Sequence, residues 1–243
     1  MGNGASVSVL SLIPPPWIHT IRPNIKRNRD GFGSKSQGFR NVTINTIIRR
    51  RKGNKQTDGA KWIEGYNSGK HVFEIVFPSK IRGKHSSIGV GTKDSELNHK
   101  SSTSLVGKAA VSWGIDLSTQ KVFVNGRLTR RYPRKLFSKL PDVFFMYLDM
   151  DKGKIMFGSE EGYFGPAIQD EDMRRYTVYP MVSATQEGAV ITMAYKGKGI
   201  ITKLLTRERI NGWMERGREG GSKMIVQVHF QARKVDWQLI YGS

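Results

Sequence analysis

Between His71 and Tyr195 the chain is a succession of short segments in which apolar and polar residues alternate, each closed by a turn and none long enough for a helix. In the first, Val72, Glu74 and Val76 point one way while Phe73, Ile75 and Phe77 point the other, the period of an extended strand. The same reasoning predicts strands at Ser87 to Gly91, Val111 to Leu117, Lys121 to Val124, Val143 to Met150, Lys154 to Phe157, Val178 to Ala184 and Ala189 to Tyr195. Asn125-Gly126 and Asp151-Lys152-Gly153 supply residues that tolerate positive φ and so close antiparallel hairpins. Many short strands joined by hairpin turns, with no helix between them, specify an all-β antiparallel sandwich over a parallel sheet.

The flanks read differently. The first 40 residues carry Pro14-Pro15-Pro16 and then a Gly, Ser, Asn and basic mixture without a period, which is expected to be a flexible basic arm. Asn41 to Ile48 alternates loosely and opens the sandwich, which is expected to span residues 41–198. Beyond it, residues 199–243 form a tail of uncertain structure. There, Ile200 to Met214 has the spacing of a basic amphipathic helix broken by Asn211-Gly212, and Met224 to Ala232 alternates like a strand.

The 243 residues contain no cysteine, which removes disulfides, thiolate metal sites and a cysteine nucleophile together and suits a cytoplasmic or nuclear setting. No apolar run approaches the length of a membrane-spanning helix, and the first basic residue, Arg22, follows the apolar stretch that a secretory leader would place after its charge. The formal charge of +20 is concentrated outside the strands: from Arg22 to Lys55 there are eleven Lys or Arg against the single acid Asp30, with the run Arg49-Arg50-Arg51-Lys52 near its end. Such charge could meet nucleic-acid phosphates, but the run from Arg49 to Lys55 has no interleaved aromatics, so specific nucleic-acid recognition is the disfavoured reading. Met1-Gly2-Asn3-Gly4-Ala5-Ser6 matches the acylation pattern at Gly2, and one acyl chain with a basic run would hold the chain at a membrane surface.

Catalytic and cofactor patterns fail one by one. Gly89-Val90-Gly91 has Asp94 where a dinucleotide motif needs its third glycine. Asp149, Asp151 and Glu160 fall at calcium-loop spacing, yet Lys154 stands where the turn glycine belongs, so these acids read as a solvated hairpin. The five histidines lack metal-ligand spacing, and no Gly-x-Ser-x-Gly elbow occurs. Neither an enzyme nor a cofactor is expected.

Five ordered blocks carry a family resemblance. They are Ser68-Gly69-Lys70-His71-Val72-Phe73-Glu74-Ile75; Ile88-Gly89-Val90-Gly91-Thr92; Ser112-Trp113-Gly114-Ile115-Asp116-Leu117; Leu148 through Phe157; and Tyr179-Pro180-Met181-Val182-Ser183-Ala184. Together they resemble a SPRY domain, and more narrowly the SPRY domain and SOCS box protein family. The resemblance implies a substrate-recognition subunit of a cullin-RING ubiquitin ligase, whose SPRY rim loops hold a target peptide while the SOCS box recruits elongin B and C and a cullin.

Carried over by position, the peptide-binding rim falls on Arg50, Lys52 and Asn54 before Thr57-Asp58, on Ser102 where the family has a tyrosine, and on Thr185, Gln186 and Glu187 where it has Val-Trp-Gly. The aromatic floor of the family's pocket is missing, so a different ligand is expected, and Arg49 to Lys52 suggest acidic peptides. The elongin contact falls on Ile201, Leu204 and Leu205, with no Leu-Pro-Leu-Pro segment downstream for the cullin. A SPRY interaction module without ligase recruitment is the alternative.

Overall fold

The computed structural model describes residues 13–22, 30–133 and 139–199. Among them sixteen strands occur: β1 (Ile21–Arg22), β2 (Phe32–Lys35), β3 (Phe39–Asn41), β4 (Thr46–Arg49), β5 (Thr57–Trp62), β6 (Lys70–Val76), β7 (Ser86–Gly91) and β8 (Asn98–His99) in the first half. In the second half come β9 (Ser112–Asp116), β10 (Lys121–Val124), β11 (Arg127–Arg131), β12 (Val143–Asp149), β13 (Lys154–Ser159), β14 (Gly162–Gln169), β15 (Tyr179–Ala184) and β16 (Val190–Gly199). Short 3-10 turns at Pro16–His19, Ser79–Ile81 and Glu171–Arg175 are the helical elements of the described residues. Gly2, Ile201, Leu204, Leu205, the expected helix from Ile200 and the expected strand from Met224 lie outside the described residues.

Two antiparallel sheets result. One runs β14-β13-β12-β6-β16-β4-β3 with β1 also paired to β16, and the other runs β11-β10-β9-β7-β15-β5-β2 with β8 also paired to β5. Their inner faces close over one core: Phe73, Ile75, Phe144 and Met146 from the first sheet meet Ile88, Val90, Trp113, Ile115 and Val182 from the second. Burying aromatic and branched side chains between two twisted sheets is the source of the sandwich's stability, at roughly 1.5–3 kcal/mol per fully buried side chain. The Asn125-Gly126 turn joins β10 to β11 with φ of 49° and 82°, the left-handed pair that matches strand twist.

The structure departs from the expected arm and first strand. Residues 41–48 are not one strand: Val42 N–H and Thr43 N–H both donate to Thr46 O, so β3 and β4 form a hairpin whose tip holds the polar Thr43 and Asn45. Trp17 and Ile18 are buried against Val72, Tyr147 and Met156 on the outer face of β6, β12 and β13. Gly199 permits this, because a Cβ there would come within 2.2 Å of the Trp17 ring. Phe32 and Phe39 enter the main core. The described parts of the segment that lacks a period are thus anchored by isolated aromatics, a signal periodicity does not register.

Candidate functional site

Strand polarity gathers several loops at one end of the sandwich. Ala184 at the end of β15 pairs with Asp58 at the start of β5, Asp58 pairs with Asn98 of β8, and Ala184 pairs with Ser86 at the start of β7. Consequently the connections 50–56, 100–104, 185–189 and 82–85 all leave the sheets on the same side. These are the segments onto which Arg50, Lys52, Asn54, Ser102, Thr185, Gln186 and Glu187 fall.

Arg49, at the end of β4, organises the first of these loops from inside. Its side chain is fully buried, and its Nε donates to Asp58 Oδ2 at 2.9 Å. Its two terminal nitrogens donate to the carbonyls of Arg51 and Gly53 and to that of Gln56, at 3.1, 2.7 and 2.9 Å. A guanidinium has five N–H groups in a fixed fork, and here acceptors from the loop and from Asp58 converge on it. Burial pushes the Arg49 guanidinium below its ordinary value while Asp58 pulls it back up. Arginine begins so high that it stays charged.

Asp58 is the matching hub. Burial alone would raise its carboxyl, but bonds from Arg51 and Ser36 and the charges of Arg49 and Arg51 hold it below the usual carboxylate value. Arg51 donates from both Nε and a terminal nitrogen to the two carboxylate oxygens at 2.9–3.2 Å, and Ser36 Oγ donates at 2.8 Å. Gly38 is required beside this hub, since a Cβ there would sit 2.2 Å from the Asp58 carboxylate.

Thr57 fixes the second loop. Its hydroxyl lies 2.9 and 2.8 Å from Ser101 O and Thr103 O, which share its one proton, and accepts from Thr103 N–H. Ser104 Oγ donates to Asp116, which also accepts from His85 Nδ1 at 2.9 Å. The third loop is tied twice: Gly188 N–H donates to Arg49 O, and Gly53 N–H donates to Glu187 Oε2 at 2.8 Å. The rim is therefore a set of loops cross-braced by buried polar groups, a rigid mount for exposed side chains.

The candidate side chains divide by burial. Arg50, Lys52, Asn54 and Glu187 are exposed on the rim, and Ser102 and Gln186 are half-buried. Thr185 is fully buried: it exchanges hydrogen bonds with the His85 backbone through its own N–H and hydroxyl, so it locks the 82–85 turn and presents no side chain outward. Arg49 is likewise internal, which corrects the reading of the whole Arg49 to Lys52 run as partner-facing. The basic run hides two roles, and only the clustering of Gly and Asn after it hints at a caged cation. Two of the three calcium-spaced acids are also engaged, and Asp149 is buried where a solvated hairpin is expected: Lys70 Nζ bonds Asp151 and lies 3.7 Å from Asp149, whose carboxyl is raised by burial.

A two-sheet antiparallel sandwich with cross-braced loops at one end defines a loop-presenting β-sandwich module. The SPRY domain profile matches residues 70–198, and the chain belongs to the SPRY domain family. It is 35% identical over 149 residues to the Drosophila melanogaster protein gustavus, covering 59% of this chain and 53% of that one. It is 33% identical over 155 residues to human SPRY domain-containing SOCS box protein 1, covering 61% and 56%. With human SPRY domain-containing SOCS box protein 2 it shares 30% over 192 residues, covering 76% and 70%. The chain spans about half the length of the first two relatives. The SPRY domain of human HERC1 superposes with a TM-score of 0.52 at 18% identity, covering 68% of this chain and 97% of that one, a likeness of fold.

Proposed function

We propose that the protein is a non-catalytic recognition module that holds a segment of a target protein on the loops 50–56, 100–104 and 185–189, and that it acts as a substrate adaptor for a cullin-RING ubiquitin ligase. The observation that carries the first half is the cross-bracing of those loops by Arg49, Thr57 and Asp58, which lowers the ordering cost that a peptide-binding surface otherwise meets on association. Exposed Arg50, Lys52, Asn54 and Glu187 on that mount offer hydrogen-bonding and charged groups without an aromatic floor. Ligase recruitment rests on relatives named for a SOCS box and on Ile201, Leu204 and Leu205 in the tail.

The test for recruitment uses the purified full chain and the elongin B and C heterodimer. Stable co-elution that is lost in Leu204→Asp/Leu205→Asp supports the adaptor role, and no co-elution at micromolar concentrations contradicts it.

A further inference from the structure

Beside the braced loops lies an open depression of about 440 Å³ lined by Gln37, Gly38, Arg40, Arg50 and Arg51. Arginines supply most of this lining and no acid contributes to it. Asp58, fully buried beneath Arg51, is already shared with Arg49, and only the weaker pull of Glu187 on Arg49 adds to it, so the Arg49-Asp58-Arg51 cluster keeps an excess of positive charge. Arg51 is one-third exposed, which leaves that charge at the surface. Arg40 spends one terminal nitrogen on the carbonyls of Gln37 and Phe39, and neither Arg40 nor Arg50 has an ion-pair partner among the described residues.

The larger depression at the opposite end of the sandwich makes a useful contrast. Its wall sets Asp151, Glu171 and Asp172 against Arg174 and Arg175, with Asp172 and Arg175 already paired. Opposite charges there satisfy one another, whereas no acid lines the rim depression and Arg51 alone of its three arginines has an ion-pair partner among the described residues.

We propose that Arg40, Arg50 and Arg51 form an oxyanion seat that holds one acidic side chain, a carboxylate or a phosphate monoester, of the protein segment bound at the rim. The proposal rests on the rim reading above and names the chemistry of its ligand. Guanidinium forks match planar carboxylate and phosphate oxygens with paired N–H donors, and such charge-assisted bonds exceed neutral ones in strength. The seat is built, not merely charged: β3 places Arg40, the Arg50 N–H donates to Gly38 O, and the bonds from Arg51 Nε and one terminal nitrogen to Asp58 fix its guanidinium and leave the other terminal nitrogen to the seat. A dianionic phosphate would match the accumulated charge more fully than a single carboxylate, and the experiment separates the two.

Fluorescence anisotropy on the full chain would compare hexaglutamate, a hexapeptide with one phosphoserine among glycines, and hexaglutamine. The expected result is binding of one or both acidic probes about tenfold or more tighter than hexaglutamine. Arg40→Gln/Arg50→Gln should lose that preference, while Lys152→Gln/Arg174→Gln at the far end should change it less than about twofold. Preference for phosphoserine assigns the seat to phosphate, and preference for hexaglutamate assigns it to carboxylate. Equal binding of hexaglutamine, or an unchanged preference in the rim variant, overturns the proposal. Arg50→Glu, a single change at an exposed position, should lose the same preference and decides the matter should the double variant melt early. A target segment that still contacts Asn54 and Glu187 in Arg40→Gln/Arg50→Gln with unaltered affinity would remove the seat and leave the rim reading standing.

Discussion

Arg49 and Asp58, nine residues apart, meet at 2.9 Å with both side chains fully buried, and the same guanidinium holds the carbonyls of Arg51, Gly53 and Gln56. Removing Asp58 leaves Arg49 buried without its carboxylate, whereas removing Arg49 leaves Asp58 to Arg51 alone and strips three loop carbonyls of their donor; breaking a buried pair of this kind typically costs about 3–5 kcal/mol. Arg49→Ala should lose stability of about that size in denaturant unfolding. Arg49→Lys should recover little of it, because an ammonium cannot reach so many divergent acceptors. Amide exchange should accelerate over residues 50–56 in both variants.

Asp58 also sets an acid limit. Its folded pKa lies below the unfolded value, so its contribution is present in full above the unfolded carboxylate range and disappears as pH falls through the folded pKa. Asp58→Asn should flatten the stability profile below about pH 4 while lowering the plateau above it.

His71 governs a separate and higher window. It is buried between Ser68 and Tyr195: Nε2–H donates to Ser68 O at 2.8 Å, which leaves Nδ1 to accept from the Tyr195 hydroxyl at 3.0 Å. Burial pushes its imidazole down to about 4. With an unfolded value near 6.5, the unfolded chain binds the proton first, so stability is complete above about pH 6.5 and falls toward pH 4 by about 3 kcal/mol. His71→Gln should remove that slope in a pH series of urea melts.

Trp17 should count as part of the domain. Its ring meets Tyr147 edge-on at 6.2 Å and covers Val72 and Met156. Trp17→Ala is expected to destabilise by about 3 kcal/mol, near the low end for a buried tryptophan because the site lies on an outer face. Thermal unfolding of this variant checks it, and an unchanged midpoint would mean the segment adds nothing.

Gly38→Ala tests the tightness of the rim brace. Its new Cβ would overlap the Asp58 carboxylate, and overpacking of this kind costs about 1–3 kcal/mol. The loss should be smaller in an Asp58→Asn background, where the brace is already relaxed, a coupling that a double-mutant cycle measures.

The sandwich is legible in the sequence wherever one face of a strand differs from the other. β12 and β13 and the Asp151-Lys152-Gly153 turn between them follow from alternation and turn chemistry. β5 is not visible in this way, because it is buried on both faces and its sequence, Thr-Asp-Gly-Ala-Lys-Trp, has the composition of a loop. Asp58 is accommodated by two arginines and Lys61 by the carbonyls of Thr92, Lys93 and Ser95, partners that come from other segments of the chain. β14, with two glycines and a proline, is hidden for a similar reason. At the rim, position along the chain identifies the loops, but whether a given side chain braces the loop or faces outward depends on long-range bonds such as Thr185 to His85, which no local pattern encodes.

The end of the sandwich that bears loops 50–56, 100–104 and 185–189 is proposed to meet the target protein, and on this the rest depends. Site-specific photocrosslinking in cells tests it most directly, with the photoreactive residue placed singly at the exposed positions Asn54, Lys100 and Glu187, and at Lys152 and Glu171 on the opposite end. The expected result is one common adduct from the three rim positions and none from the far two. Adducts confined to Lys152 and Glu171 would contradict it.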